Sequence, residues 1–240
     1  SEAFVGSGDI FQQEPDEIIQ TGGGFGGTQS QWAALTTRYG YFFVDAKSRK
    51  IFLMKDKLLE ISNVGMETWF KDNLRFELED YGFGNCAQDN PLLGMGFHST
   101  WDPKHKRIIL TKREFTPTQY FIDNYEKLEP GGNLACGSDY ATGAIVFYPS
   151  FSGGNDCKYR RLTPLKSASS VINCVWQIIP FDCDNSSYFN CSGWTISYYP
   201  ELGIWGSFHD YVPYIYFNTS KTFYSLTDQY GVINSNPIAE

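Results

Sequence analysis

Three imidazoles stand at His98, His105 and His209. Nucleophilic catalysis would need one of them beside a Ser or Cys and a carboxylate, and no G-x-S-x-G elbow or cysteine-centred motif accompanies any of the three. His105 falls in a polar turn, and His98 and His209 sit beside strand residues, where a structural histidine is the expected reading. The cysteines at 86, 136, 157, 174, 183 and 191 form no C-x-x-C pair and lie away from the histidines in sequence, which argues against a zinc site. Glu77, Glu79 and Asp80, or Asp182 and Asp184, offer carboxylates for glycoside hydrolysis. That chemistry needs two of them facing across a cleft, whereas acids adjacent in sequence are usually a solvated surface. Gly22, Gly24 and Gly27 satisfy G-x-G-x-x-G, but no buried parallel strand precedes them and the chain runs on toward a β segment, so a flexible turn is expected. The expectation is a protein with no catalytic residue, no metal and no cofactor.

Binding is a different matter, because aromatic side chains crowd the last fifth of the chain. Trp194, Tyr198, Tyr199 and Trp205 are the candidate contact residues, either as a stacking platform for a glycan or as a surface for a neighbouring subunit. At this density the competing use is a core of cross-strand aromatic pairs.

The elements that position these residues follow from composition and pattern. Of 240 residues, 42% are hydrophobic and 17% aromatic, with 23 Gly and 11 Pro, a mix suited to short pleated strands and tight turns. Lys plus Arg total 19 against 27 Asp plus Glu, a net charge of -8, which removes the basic footprint of a nucleic-acid binder. No apolar run is long enough to span a membrane as a helix. The opening Ser1–Gly8 carries no initiator Met and reads as entry into a longer protein. Six cysteines would allow three disulfides in an oxidising compartment, yet no signal peptide supports secretion, so largely free thiols are expected. The sequons starting at Asn185, Asn190 and Asn218 are read as chance.

One unit occurs three times: an aromatic or β-branched strand, a short polar turn, an apolar strand. Its turns are Asp45 to Arg49, Asp102 to Lys106 and Tyr199 to Gly203. Leu58 to Ile61 adds a further strand after the first unit, and Tyr214 to Phe217 and Thr222 to Leu226 follow the last. The fold class expected is all-β, a β-propeller or partial propeller of antiparallel hairpins and meanders with an inserted Cys-containing segment. Residues 1–114 are assigned to N-terminal blades, 115–193 to an insertion or enlarged blade, and 194–240 to a C-terminal blade. Helix is expected over Val64 to Leu74, capped by Asn63, and more weakly after Thr116-Pro117, stopped by Pro130-Gly131-Gly132.

Several segments resemble a known family. Gly8-Asp9-Ile10-Phe11, Gly23 to Gln31, Tyr39 to Lys47, and Glu60-Ile61-Ser62-Asn63 through Gly65-Met66 to Trp69–Leu74 are similar to the tail nozzle proteins of short-tailed bacteriophages. The nearest likeness is to the muzzle, or stabilisation, proteins of crAss-like gut phages. The hairpins at Thr100-Trp101-Asp102-Pro103 and at Trp194–Tyr198 to Phe208–Pro213 are similar to later blades of the same proteins. The likeness spans roughly residues 8 to 114 and 193 to 227 and leaves the Cys-bearing stretch between them unmatched. It implies a non-enzymatic structural virion protein, assembled in the bacterial cytoplasm and residing in the tail, which forms a ring of identical copies, closes the distal end and gates DNA ejection. Its implied partners are other copies of itself and other tail proteins, the ring or hub and the fibres. A module at the tail tip that binds a host-surface glycan or receptor is the alternative.

Overall fold

The computed structural model describes residues 26–81, 95–125, 145–151, 160–167, 176–178, 187–226 and 233–235. The run Tyr41-Phe42-Phe43-Val44 is apolar at consecutive positions, so its strand must be covered on both faces. It lies in β2 (Gly40–Asp45), between β1 (Leu35–Thr37) and β3 (Lys50–Met54), and β4 (Leu58–Glu60) completes an antiparallel meander in chain order. Phe42 and Val44 enter the main core, while Phe43 stacks on Phe52 at 5.3 Å on the opposite face.

A 3-10 turn (Ile61–Asn63) leads to α1 (Glu67–Asn73) and then to a second 3-10 turn (Glu77–Tyr81). The helix begins later than its apolar spacing predicts. Asn63 is spent in the 3-10 turn, Gly65 takes a left-handed φ of 71°, and Met66 occupies the cap position without a side-chain hydrogen bond. Phe70 and Leu74 still reach the core at the expected helical spacing.

The second sheet has the order β11-β10-β6-β5. Its strands are β5 (Gly96–Asp102), β6 (Arg107–Pro117), β10 (Phe189–Tyr199) and β11 (Ile204–His209). Between β6 and β10 lie α2 (Gln119–Asn124) and a three-stranded antiparallel sheet of β7 (Ile145–Phe151), β8 (Arg160–Ser167) and β9 (Trp176–Ile178). The weaker helix expectation is met by α2, where Thr118 accepts the backbone N–H of Phe121 at 3.3 Å as N-cap. Its expected stop at Pro130 lies outside the described residues. Last among the described strands come β12 (Ile215–Asn218), β13 (Phe223–Leu226) and β14 (Ile233–Ser235), a fourth antiparallel sheet. The protein is therefore mostly β with short helices, and its described sheets are open, with no closed barrel among them.

The positions 114 and 193, where the sequence reading divides the chain, lie in paired strands. Those positions fall inside β6 and β10, which run antiparallel from Phe189 opposite Pro117 to Tyr198 opposite Ile108. Residues on both sides of the insertion thus build one sheet, and the insertion leaves and re-enters at one end of a single ladder. Phe42, Ile51 and Phe70 share a core with Phe97, Ile108, Leu110, Ile196 and Tyr198, so the first two sheets are joined through their apolar faces. A smaller core of Leu78, Met95, Phe115, Phe121, Ile145 and Phe189 sits where the insertion departs. Free thiols were the expectation; instead Cys191, on β10, is disulfide-bonded. The other cysteines lie outside the described residues.

The threefold unit is a shared backbone device. Asp45 pairs with Lys50, Asp102 with Arg107 and Tyr199 with Ile204, so each turn spans four residues. In each the fourth turn residue is left-handed: Arg49 at φ 57°, Lys106 at 53° and Gly203 at 66°. Only glycine adopts this region without steric cost. Arg49→Gly and Lys106→Gly are each expected to raise stability by about 1 kcal/mol, and Gly203→Ala to lower it by about as much, in urea unfolding.

Candidate functional site

The candidate contact residues converge on β10 and β11, whose two faces carry different chemistry. On the face toward α1, Trp194 meets Trp69 edge to face at 4.8 Å, and Phe208 meets Trp69 at 5.1 Å. Trp205 packs on Phe70 at 4.6 Å and on Tyr198 at 5.0 Å, and its indole N–H donates to the Ile61 carbonyl at 2.8 Å. Tyr198 is 4% exposed, so it offers no open ring face to a sugar. Tyr199 is half-buried, with its ring over Gly206 and its hydroxyl 3.5 Å from the Arg107 guanidinium. The structure therefore brings Trp194, Tyr198 and Trp205 together as part of the core, with Tyr199 beside the neighbouring turn.

The opposite face is polar and closed. Thr195 donates its hydroxyl to the Tyr211 carbonyl at 2.5 Å, which fixes the direction of the bonds behind it. Thr195 must then accept from Thr111 at 2.8 Å, and Thr111 from the Tyr216 phenol at 2.6 Å. Burial pushes the Tyr216 phenol well above its ordinary range, which keeps it protonated and donating. This directed chain ties β12 to β6, β10 and the Tyr211 segment. Thr100 is hydrogen-bonded to Asn218 on the same side.

Ser197 Oγ and His209 Nε2 lie 2.6 Å apart across β10 and β11, an arrangement that resembles a nucleophile and its base. Ser197 is fully buried, so its oxygen is closed to substrate in this state. His105 is held in its turn by Asp102, which receives the ring at 2.7 Å, the Arg107 Nε–H at 2.9 Å and the backbone N–H of Lys104 at 3.0 Å. Burial pushes the Asp102 carboxyl up, but the bonds from His105 and Arg107 outweigh it and hold the group below its usual range. Asp102 thus acts as the side-chain brace of its hairpin, as Asp45 does in the first one by accepting from Ser48 N–H at 3.1 Å.

A buried ion pair completes the inventory. Lys112 donates to Glu114 at 2.5 Å and to the Arg75 carbonyl, its ammonium lies 4.9 Å from the centre of the Phe76 ring, and Glu114 accepts the Glu77 N–H at 3.2 Å. Burial pushes the ammonium down and the carboxyl up, while mutual attraction opposes both shifts. Of the acids noted in sequence, Glu77, Glu79 and Asp80 lie exposed on the second 3-10 turn, with Asp80 paired to Arg75. Asp182 and Asp184 lie outside the described residues, as do Gly22 and Gly24, whereas the Gly27 N–H donates to Asp45 at 3.3 Å. Among the described residues no group of three or more His, Cys, Asp or Glu is placed to hold a metal ion, and no helix is long and apolar enough to cross a membrane.

Among the described residues no strand pairs with the outer edge of this sheet. β11 pairs with β10 on one side, and Leu202, Ile204 and Phe208 are 68%, 45% and 52% exposed. The strand reads Ile-Trp-Gly-Ser-Phe-His, with no Lys, Arg, Asp or Glu along it. No protein-family model matches the chain, and no curated protein matches it.

Sequence reading missed Lys112 with Glu114, although charges two apart inside an apolar strand were a usable signal, since such residues share one face. It also missed Ser197 with His209, for which register across the hairpin was needed. Removing one member of the ion pair strands the other. Lys112→Met is expected to cost about 3–5 kcal/mol in urea unfolding, and the double variant Lys112→Met, Glu114→Gln to recover most of that loss.

Proposed function

We propose that the chain is a structural subunit of a phage tail nozzle, with blade-like β units of a propeller, and that it works by contact between copies and not by turnover. The observation that carries this reading is the β11 edge. An edge strand presents a row of unpaired backbone donors and acceptors, and proteins that remain monomeric usually blunt it with charge, proline or a covering segment. β11 has no charged side chain and adds exposed Leu202, Ile204 and Phe208 beside it. Two four-stranded antiparallel sheets, the first a meander in chain order, are also of the kind that propeller blades use. On this reading a strand of the next copy pairs with β11, and a head-to-tail contact of that kind closes into a ring around the channel through which DNA leaves. The glycan-binding alternative is less favoured, because Trp194, Tyr198 and Trp205 are committed to the core.

The full-length protein is expected to form closed rings in negative-stain images and a single oligomeric mass in mass photometry. Leu202→Lys combined with Ile204→Lys should reduce it to monomers while changing the unfolding free energy by less than about 0.5 kcal/mol per site, as exposed substitutions do. A monomeric wild-type protein at working concentrations, with release of sugar from host polysaccharide, would overturn the reading.

A further inference from the structure

We infer that His98 is an acid-operated latch, which when neutral holds the β12–β13 hairpin shut against the main sheet and when protonated releases it while the rest of the fold stays closed. His98 sits in β5 opposite Thr111 of β6. Strand side chains alternate, so His98 shares a face with Thr100, which bonds Asn218 of β12, and with Thr111, which bonds Tyr216 of β12. From β13, Phe223 and Ser225 stand opposite Asn218 and Tyr216; Phe223, Ser225 and Tyr216 are buried, and Asn218 lies at the exposed end of the strand. The imidazole is therefore at the seam between the two sheets. It is 1% exposed, and neither ring nitrogen has a hydrogen-bond partner.

The groups that face it make protonation costly. On its face of the sheet stand Thr111 and Arg113 of β6, Thr195 of β10 and Tyr216 of β12, with Tyr214 against Arg113, Asn218 bonded to Thr100, and Ser30 bonded to the Phe97 carbonyl next to it. Among the described residues none of these is a carboxylate. Arg113 is the charged member, and it is bound to the departing segment itself, stacked 3.5 Å from the centre of the Tyr214 ring and donating to the Val212 carbonyl at 2.9 Å. A second cation at His98 would repel Arg113, and separating the hairpin from the sheet relieves both the repulsion and the desolvation.

Burial, and then Arg113, hold the His98 pKa at about 3, against 6.5 for an open imidazole. The opened form therefore binds the proton more tightly than the closed form. The closed hairpin keeps its full stability above about pH 6.5 and loses it as pH falls toward 3, so opening becomes roughly tenfold easier per pH unit across that window.

Hydrogen exchange of the full chain at about pH 7 and about pH 4.5, corrected for the intrinsic pH dependence of amide exchange, tests this. The expected result is an increase of about a hundredfold in the opening of 215–218 and 223–226, without a matching increase in β6 and β10. His98→Leu should remove the increase. It leaves the Asp102 carboxyl to titrate at the β5–β6 turn, so the acid response that persists in the variant is subtracted. Should His98→Leu fail to fold, His98→Gln serves the same purpose, and the wild-type pattern is decisive by itself. Unchanged exchange in the hairpin at low pH, or an equal rise in β6 and β10, would overturn the latch.

Discussion

The ladder between β6 and β10 is the constraint on which the rest of the molecule depends. It joins residues on either side of a long insertion, and its two faces supply the main core on one side and a cluster of Ile109, Tyr216 and Phe223 on the other. Leu110 and Ile196 meet the first meander, while Ile109, Thr111 and Thr195 meet the terminal hairpin. Such a ladder closes a large loop before its contacts form, so its entropy cost is borne by the length of the pairing and by what packs on both faces. Gly193 marks how close the approach is: a Cβ there would lie 2.6 Å from the Lys112 carbonyl oxygen and 2.6 Å from a Val212 methyl.

The two faces solve different problems. The aromatic face buries area without leaving many polar groups to satisfy, and Trp205 satisfies its indole on the Ile61 carbonyl. The seam under β12 uses hydroxyls, each donating once and in a fixed order, so the small terminal sheet is held in register by directed bonds. His98 is the exception within that seam, a polar ring whose nitrogens are unmatched. The unmatched ring thus lies beneath the small terminal sheet, with Lys112 and Glu114 on the other side of the ladder.

The hairpins were legible because their signal is local. The turns beginning at Asp45, Asp102 and Tyr199 lie where polarity interrupts two apolar runs, and their boundaries match the strands closely. The α1 start was misplaced because Gly65 and the 3-10 turn decide it through backbone angles that apolar spacing does not encode. The pairing of β6 with β10 was not legible at all. A division at 114 and 193 followed composition, whereas hydrogen bonding between distant strands leaves no mark on composition. The same limit applies to the site. Trp194, Tyr198 and Trp205 could be singled out as aromatic, but which face they line depends on the partner strand and on α1. Exposure of Leu202, Ile204 and Phe208 at a charge-free edge follows from β11 being last in its sheet, a property of topology alone.

A structural role for this chain stands or falls on what covers that edge. An electron cryo-microscopy reconstruction of the full-length assembly would measure it directly. The account predicts a strand of the neighbouring copy hydrogen-bonded to Ile204–His209, with Leu202 and Phe208 buried beneath it. An assembly in which β11 faces solvent, or one held together only through the insertion between β6 and β10, would contradict it.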